Sequence, residues 1–484
     1  MAQPTRKALL LHPDVNRVFF RPFMPSSENR TIKIIARVMS LSESRVKAEC
    51  ARVLADFEKR HSNLRAFLLE RFDDIKEHLI ADQPMSEARK LLLGAYFTQE
   101  YALEAAALFN PSIVPHPDQS GTKEGELRFI LSLRSTGEGH ISSITFRTGS
   151  VDASGSIQID PTERFVTAAR PEPNPTYEKE LFLRKLGELG LQSPWVKEVT
   201  AELKPEFTLL QLEEQLQAHL SRNRFLESSQ KEAATAIRAL AHANYELRFN
   251  PDQPISQRAI FPSTPAEKKG LEDARFVAFR DGGKTTYYAT YTAYDGHMLL
   301  PQILQTDDFV NFRISTLNGS QIQNKGMALF PRKINGRYAM ISRQDNENLF
   351  LMYSDHPHFW YEKQALLRPS FPWEFMQIGN CGSPIETEQG WLLITHGVGP
   401  MRRYTIGAIL LDLDDPSKVI GRLKTPLLSP NEQEREGYVP NVVYSCGALI
   451  HSGRLILPYA VSDRSTTFAT YELDQIFESM NTNR

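Results

Sequence analysis

Tight-turn signals recur along the second half of this chain at nearly regular intervals. Each one joins two apolar, aromatic or β-branched stretches, and successive signals are fifty to just over sixty residues apart. The four signals are Asp281-Gly282-Gly283, Asn335-Gly336, Gln389-Gly390 and Ser452-Gly453. A β-rich repeat of this length is typical of one four-stranded blade with generous loops. With the strand-like stretches of 110–165 as a further blade, the spacing predicts a mainly β fold, namely a five-bladed β-propeller.

Two parts of the chain have a helical pattern instead. Apolar residues recur at helical spacing in three segments between 40 and 108, which predicts a mostly helical N-terminal unit over 1–109. Further segments with helical spacing lie within 172–243. We therefore expect a propeller domain over 110–484 that carries a helical insertion at 172–243, preceded by the helical unit.

Composition and charge exclude several classes of protein. The formal net charge of -2 gives no reason to expect nucleic acid or an anionic membrane as a partner. No stretch approaches the ~18 apolar residues of a membrane span, and neither a P-loop nor a G-x-G-x-x-G motif is present. The three cysteines are scattered without C-x-x-C spacing, which argues against a disulfide framework and a zinc site. We expect a cytoplasmic protein without a metal or another cofactor.

The stretch Gly270–Phe276 concentrates charge directly before an apolar run. It contains Glu272, Asp273 and Arg275. Adjacent residues of an extended chain point to opposite faces, so the two carboxylates share one surface only if the chain turns there. Such a turn can hold a carboxylate in a fixed place beside the arginine. The alternative is a surface turn with an ordinary ion pair.

Other polar and aromatic residues lie near the ends of the predicted strands. In a propeller the inner strands converge on one axis, so residues far apart in the sequence can form a single concave polar site with aromatic walls. The polar candidates are Tyr291, Asp295, Lys325, Arg332, Arg343, Asn380–Ser383, His396 and Asp463–Arg464. Trp373, Tyr404 and Tyr438 offer surfaces on which sugars could stack. Tyr287, Tyr288 and Trp391 lie in strand-like runs that suit packing in the core.

Five ordered segments make this sequence similar to glycoside hydrolase family 130, the mannoside phosphorylases and related mannosidases. The segments are Gly270–Arg275, Lys325–Gly336, Gly390–Gly397, Leu411–Arg422 and Val439–Gly447. The resemblance extends over about residues 110–475 and leaves the N-terminal unit and the 172–243 insertion outside the family pattern. It implies a five-bladed β-propeller and an inverting reaction on β-mannosides.

The resemblance also implies roles for individual residues. Asp273 falls on the family's general acid, whose pKa must be raised by burial or by a neighbouring carboxylate such as Glu272. Asp463 matches the residue that holds the mannosyl unit, and Arg134 resembles an arginine that lines the same subsite. The other substrate-binding residues that we expect are Glu272, Arg275, Tyr291 and Asp295.

The group that attacks the anomeric carbon decides between two reactions. Lys325, Arg343 and His396 resemble the basic positions with which the phosphorylases bind phosphate. Two departures from the phosphorylase pattern are Ser342 in place of a histidine and Ala274 in place of the motif proline. An inverting mannosidase needs a second carboxylate about 6.5–9.5 Å from the acid. The candidates for that base are Glu138, Glu246 and Glu347.

The sequence therefore predicts the phosphorolysis of β-manno-oligosaccharides by inorganic phosphate, which gives mannose 1-phosphate and a shortened sugar. An inverting β-mannosidase on the same scaffold is the alternative. A non-catalytic glycan-binding propeller is a third possibility, but it would not need Asp273 and Arg275 beside three basic residues. The helical additions form either a lid over the leaving-group side or an interface in a homo-oligomer, and we favour the interface.

Overall fold

The computed structural model describes residues 2–79, 84–173, 176–222 and 228–481. The chain divides into two compact units, each made of segments that are distant in the sequence. The larger unit comprises Met1–Pro13, Ala106–Thr162 and Ala169–Arg484, and the smaller unit comprises Asp14–Ala105 and Glu163–Ala168. In the described part of the chain, no helix combines the length and the apolar character needed to cross a membrane.

The smaller unit is built around helices that each bury one apolar face. Val46 and Leu68 belong to its core, in which Arg89 is also buried. The Arg89 guanidinium donates to the carbonyls of Val38 at 2.7 Å and Leu41 at 2.8 Å, which satisfies carbonyls at the end of a helix. The described elements are the helices Glu28–Met39, Glu43–Phe57, Leu64–Ile75 and Glu87–Tyr96, the 3₁₀ turn Lys76–His78, and the strands Val18–Pro22, Thr98–Ala102 and Thr167–Ala168.

Five antiparallel groups of four strands, here called sheets I to V, make up most of the larger unit. Sheet I contains Ala107–Pro115, Leu127–Thr136, Ser142–Val151 and Ile157–Ile159. Sheet II contains Gly270–Asp281, Lys284–Tyr294, Leu299–Thr306 and Asn311–Thr316. Sheet III contains Ala328–Leu329, Tyr338–Ser342, Leu349–Ser354 and Lys363–Leu367, and sheet IV contains Gln377–Asn380, Gly390–Val398, Tyr404–Leu411 and Val419–Arg422. Sheet V contains Val443–Tyr444, Arg454–Val461, Ser465–Glu472 and the N-terminal strand Thr5–Leu11.

The four tight turns predicted from the sequence all connect paired residues. The pairs that flank them are Asp281 with Lys284, Ile334 with Arg337, Thr387 with Gly390, and His451 with Arg454. Gly283 and Gly336 have φ values of 82° and 81°, a left-handed conformation that a residue without a Cβ adopts at little cost. The prediction of a mainly β fold with added helices is confirmed.

Backbone hydrogen bonds connect each sheet to the next one along the chain. Sheets I and II are joined by a parallel pairing of Gly270 with Ser142, which makes them one continuous hydrogen-bonded sheet. The later connections are Arg280 N to Pro331 O at 2.8 Å, Ile378 N to Glu347 O at 3.0 Å, and Tyr404 N to Asn441 O at 3.1 Å. Cys446 N donates to Pro111 O at 2.8 Å and so connects sheet V with sheet I.

Three turns that precede the first strands of sheets II, IV and V have the same hydrogen-bonding arrangement. Each is a short 3₁₀ turn whose buried glutamate accepts the backbone N–H of the residue three positions earlier, as in a capping box. The pairs are Thr264 with Glu267 at 3.3 Å, Phe371 with Glu374 at 3.2 Å, and Asn431 with Glu434 at 3.0 Å. This repeated turn fixes the direction in which the chain enters each of these sheets.

Helices and short strands flank the sheets. Pro171–Pro173 and Tyr245–Arg248 extend sheet II beyond Asn311–Thr316. The segment 172–243, where the sequence predicted a helical insertion, forms its own core that includes Val199 and Leu212. The helices of the larger unit are Lys179–Glu188, Pro194–Ala201, Leu209–Arg222, Ser228–His242 and Leu473–Asn481. Its other strands are Tyr177–Glu178, Glu206–Phe207, Arg258–Ile260, Ile385–Thr387 and Leu449–His451, and its 3₁₀ turns are Glu138–His140, Ile255–Gln257, Pro265–Glu267, Pro372–Glu374, Pro400–Arg402 and Glu432–Glu434.

The predicted N-terminal unit, residues 1–109, differs from the smaller unit at both ends. Thr5–Leu11 is a strand of sheet V, in which Thr5 pairs with Thr470. Residues 107–109 begin the first strand of sheet I. Both segments are held by pairing with strands that are distant in the sequence. Such pairing cannot be read from the periodicity of the local sequence.

Candidate active site

A bulge in the first strand of sheet II changes the direction of two neighbouring carboxylates. Glu272 pairs with Thr292 and Arg275 pairs with Thr290, so two residues lie between them where the partner strand has one. Asp273 in this bulge has a φ of 54°, in the left-handed region that non-glycine residues rarely occupy. The bulge breaks the alternation of an extended strand, and Glu272 and Asp273 can therefore contact a common partner.

That common partner is Arg134, near the end of the second strand of sheet I. Its guanidinium donates to Glu272 Oε1 at 3.1 Å and to Asp273 Oδ1 at 3.3 Å. Its Nε donates to Ser142 Oγ at 2.9 Å, and its charge lies 5.1 Å from the centre of the Phe109 ring. Arg134 is thus held from four sides and fixes both carboxylates.

Three more side chains complete the surroundings of the two carboxylates. Asn110 Nδ2 donates to Asp273 Oδ1 at 2.7 Å. Arg275 Nη2 lies 3.9 Å from Asp273 Oδ2, and Lys325 Nζ lies 3.3 Å from Glu272 Oε2. The structure therefore brings together Arg134, Glu272, Asp273, Arg275 and Lys325, which the sequence placed in one predicted site.

The pKa of Asp273 is shifted in the direction opposite to the one expected from the sequence. Burial favours the neutral acid, but the positive charges of Arg134, Arg275 and Lys325 outweigh it and lower the pKa to about 2. The expectation that burial and Glu272 would raise this pKa is wrong for the protein without ligands. The reason is that cations from two strands and one loop converge on the same carboxylate.

A second group of buried side chains lies around Tyr444 and His396. Arg275 Nη2 donates to the Tyr444 hydroxyl at 2.6 Å. The His396 ring stands edge-on to Tyr444 with 4.9 Å between ring centres and is stacked on Tyr404 at 5.9 Å. Gln377 Nε2 lies 3.2 Å from His396 Nε2. The imidazole is therefore held in one place by two rings and an amide.

His396 carries no charge in this environment. Its pKa lies well below the ordinary value, first because it is buried and then because Arg343 and Arg275 repel a second positive charge. It therefore brings no positive charge to an anion, and its Nε2 accepts from the Gln377 amide. The predicted trio of basic residues thus consists of two cations, Lys325 and Arg343, and a neutral imidazole.

Arg343 is buried directly after the second strand of sheet III. It is 8% exposed, and its Nε has no hydrogen-bond partner among the described residues; the same holds for Nε of Arg275. The Cβ position of Gly326 is 3.8 Å from Arg343 Nε and 3.9 Å from Asn380 Oδ1. Buried guanidinium N–H groups without acceptors are costly, and an oxyanion is the ligand that would satisfy them.

Asp463 lies in the tight turn between the second and third strands of sheet V. It has a left-handed φ of 51°. Burial and the negative charge of Asp273 raise its pKa to about 6, although Arg134 acts in the opposite direction. Asp463 therefore belongs electrostatically to the same cluster as Asp273 and Arg134, and it is the more readily protonated of the two acids.

Tyr291 and Asp295 are not brought to this cluster. Tyr291 is buried in the core of sheet II, and its hydroxyl donates to Glu267 Oε1 at 3.1 Å. Asp295 accepts the backbone N–H groups of His297 and Met298, both at 2.7 Å, and so caps the turn that follows its strand. The sequence placed both near a strand end but could not show to which side their side chains turn.

The carboxylates proposed for hydrolysis lie in other surroundings. Glu246 pairs with Arg313 at 3.0 Å on the strand that extends sheet II, four strands from the one that carries Asp273. At about 4.8 Å per strand the separation is roughly 19 Å, which is too far for an inverting base. Glu138 and Glu347 are both exposed in loops.

Three residues of the site were absent from the predicted set. Asn110 preceded a proline that we read as the end of a helical unit, Ser142 was part of an ordinary strand pattern, and Tyr444 lay within a family segment without an assigned role. Each is recognisable only when the sheets are assembled. Among the described residues no group of three or more His, Cys, Asp or Glu is arranged to hold a metal ion.

Comparison with known proteins places this site in a family. Residues 250–482 match the family model for beta-1,4-mannooligosaccharide phosphorylase. The chain is 35% identical to 1,2-beta-oligomannan phosphorylase of Thermoanaerobacter sp. (strain X514) over 46% of this chain and 74% of the relative. It is 32% identical to Beta-1,2-mannobiose phosphorylase of the same strain over 61% of this chain and 98% of the relative.

Among solved structures, the chain is similar to that of Beta-1,2-Mannobiose phosphorylase from Listeria innocua. It is 22% identical and covers 78% of this chain and 92% of its own, with a TM-score of 0.46. The two curated relatives are matched over most of their length. Residues 250–482, which match the family model, include the bulge of sheet II, Arg343, His396 and Asp463. The chain belongs to glycoside hydrolase family 130.

Proposed function

We propose that this protein is a glycoside phosphorylase that cleaves β-mannosides with inversion, giving mannose 1-phosphate and a sugar shortened by one unit. The observation that carries the proposal is the pair of buried guanidinium groups of Arg275 and Arg343, each with an Nε that lacks a partner in the described structure, beside the carboxylate of Asp273. Family relatives named as β-mannoside phosphorylases support the same reaction.

We also propose that sheets I to V are the blades of a five-bladed β-propeller. The backbone connections that run from each sheet to the next, and from sheet V to sheet I, support this arrangement. In a propeller the first strands of all five sheets surround one axis. The bulge of sheet II, Arg134 and Asp463 would then face a common cavity.

In this mechanism Asp273 is the general acid and phosphate is the nucleophile. One phosphate oxygen forms a bond to the anomeric carbon while the bond from that carbon to the leaving oxygen breaks on the opposite face. The proton of Asp273 reaches the leaving oxygen, directly or through a sugar hydroxyl, and the product is the α-configured mannose 1-phosphate. Asp463, Arg134 and Glu272 hold the mannosyl unit during the displacement.

The phosphate dianion would occupy the space between the cations of the site. Lys325, Arg343 and Arg275 supply positive charge, and His396 contributes a neutral polar ring to the same space. A dianion at this position would offset the charges that lower the pKa of Asp273, so that burial would raise that pKa again. Binding of the co-substrate would thereby supply the acid with its proton.

Hydrolysis on the same scaffold is the second candidate. It requires a base near Asp273, and the three carboxylates proposed from the sequence are either four strands away or exposed in loops. A non-catalytic glycan-binding role gives no reason for two buried guanidinium groups whose Nε atoms have no partner among the described residues. Both observations favour phosphate as the nucleophile.

The test is to incubate short β-mannosides with the protein in the presence and absence of inorganic phosphate and to identify the products. We expect mannose 1-phosphate, formed only when phosphate is present. Free mannose released at the same rate without phosphate would instead establish a mannosidase. The absence of any product, with sugar still bound, would leave the glycan-binding role.

We place the reaction in the cytoplasm, where phosphate is abundant and the buried free thiols of Cys381 and Cys446 stay reduced.

A further inference from the structure

Tyr438 and His140 form an exposed pair at the same end of the sheets as Arg134 and Asp463. Tyr438 is 57% exposed, and its hydroxyl lies 3.3 Å from His140 Nδ1. The two ring centres are 5.8 Å apart at an angle of 31°. A large aromatic side chain that remains exposed in a well-packed protein is a candidate contact for a ligand.

The loop that carries Tyr438 is fixed on the residue before Asp463. Val439 N donates to Ser462 O at 3.0 Å, and Ser462 Oγ donates to Glu434 O at 2.7 Å. A Cβ on Gly437 would lie only 2.5 Å from Ser462 Cβ, so the loop passes over Ser462 at a distance that only glycine allows. Tyr438 is therefore held at a set position relative to Asp463.

Hydrogen bonds close the base of the loop that carries Tyr438, and another hydrogen bond closes the loop that carries His140. Arg435 Nε donates to Asn441 Oδ1 at 2.9 Å, and Asn441 N donates to Arg435 O at 3.1 Å. On the other side, the loop with His140 is closed by Gly137 N donating to Ile141 O at 3.1 Å. That loop leads directly to Ser142, the residue that holds Arg134.

We infer that the pyranose ring of the leaving group stacks on Tyr438, and that His140 holds the tyrosine ring in place. This inference rests on the proposed function, in which Asp463 and Arg134 bind the mannosyl unit on the other side of the scissile bond. A pyranose presents a face of C–H groups that packs on an aromatic ring, while its hydroxyl groups remain in water. A ring attached to the loops of both mannosyl-binding residues is in the right place to receive the next sugar.

The experiment measures the reaction in the synthetic direction, where mannose 1-phosphate and an acceptor sugar are varied separately. For Tyr438→Ala we expect the acceptor KM to rise about tenfold, while kcat and the KM for mannose 1-phosphate stay within twofold. Tyr438→Phe keeps the ring but loses the hydrogen bond to His140, so its acceptor KM should rise no more than about threefold. His140→Ala leaves the ring but removes its support and should raise the acceptor KM about threefold.

Tyr361→Ala is the matched control, because Tyr361 is also an exposed tyrosine with a hydrogen-bonded hydroxyl but precedes the outermost strand of sheet III. An unchanged acceptor KM in Tyr438→Ala, or an equal rise in the KM for mannose 1-phosphate, would overturn the inference. If the wild type shows no turnover at all, the proposed function fails, but the stacking of a sugar on Tyr438 is still open to test. Calorimetric titration of the wild type and Tyr438→Ala with β-mannobiose then decides about the stacking, since an equal Kd would refute it.

Discussion

At the scale of single residues, Asp273 has to change its protonation state to serve as an acid. A general acid must hold a proton near the working pH, and with a pKa of about 2 this carboxyl holds none at neutrality. The cations that cause the low pKa are the groups that we assign to substrate and phosphate. The acid is therefore charged when the site is free of ligands, and we propose that it becomes protonated when phosphate binds.

Replacement of Asp273 by Asn should reduce both stability and turnover. The pKa of Asp273 is lower in the folded protein than the ordinary 3.8, so its charge stabilises the fold above pH 4 and this contribution is lost as the pH falls towards 2. We expect the variant to lose about 2 kcal/mol of unfolding free energy, measured by urea denaturation between pH 5 and 8, and about 10³-fold in kcat.

Asp281→Asn is the control, because Asp281 lies at the other end of the same strand with a half-exposed ion pair to Lys333. Its unfolding free energy should change by less than about 0.5 kcal/mol. The stability difference between the wild type and Asp273→Asn should narrow only below pH 4. A difference that is already shrinking at pH 6 would contradict the assignment of a low pKa.

At the scale of elements, the bulge of sheet II is connected to the turn that precedes it. Glu267 closes the turn that precedes the first strand of sheet II and accepts hydrogen bonds from Tyr245 and Tyr291. Tyr291 is the residue opposite the bulge. The backbone that presents Asp273 is thus tied, through one tyrosine, to a buried carboxylate in the turn.

Tyr291→Phe should destabilise the connection between the bulge and the turn without weakening the binding of the sugar. Loss of one hydrogen bond to a buried carboxylate should reduce the unfolding free energy by about 1–2 kcal/mol, while the KM for a β-mannoside stays within twofold. Tyr459→Phe is a matched control, since the Tyr459 hydroxyl donates to the corresponding Glu434 of sheet V at 2.6 Å. A tenfold rise in KM without a loss of stability would instead return Tyr291 to the substrate-binding residues.

The hairpins of the second half were predictable because they rest on local turn signals, whereas the site was predictable only in part. The turns at Gly283 and Gly336 follow from a left-handed backbone that the residue itself favours. Asp273 adopts a similar backbone conformation without being glycine, so nothing in its local sequence marks the bulge. Asn110 and Tyr444 reach the site from sheets I and V, and no periodicity within either sheet indicates that they meet.

At the scale of the whole molecule, bound phosphate should stabilise the fold through the larger unit. A ligand that binds only the folded state adds stability that grows with its concentration, about 1.4 kcal/mol at ten times its Kd. We expect 10 mM phosphate to raise the Tm of the wild type by about 1–2 °C over chloride at equal ionic strength, measured by differential scanning fluorimetry. Arg343→Gln should abolish this shift.

Arg337→Gln provides the control for this experiment, because Arg337 lies at the opposite end of the strand that Arg343 follows and forms an exposed pair with Asp355. Its response to phosphate should equal that of the wild type. An equal shift in Arg343→Gln would remove Arg343 from the phosphate site.

The interface expected from the helical additions stays a prediction, and light scattering of the intact protein tests it.

The strand Thr5–Leu11 has a consequence for how the protein is made. It leaves the ribosome about 450 residues before its partner Ser465–Glu472. At typical rates of 5–20 residues per second, roughly 20 to 90 seconds of translation separate the two. Its apolar residues lack their partner strand during that time, and this pairing in sheet V can form only after Ser465–Glu472 has emerged. Slow translation between the two strands would therefore lengthen the time for which this segment is unpaired and would favour aggregation.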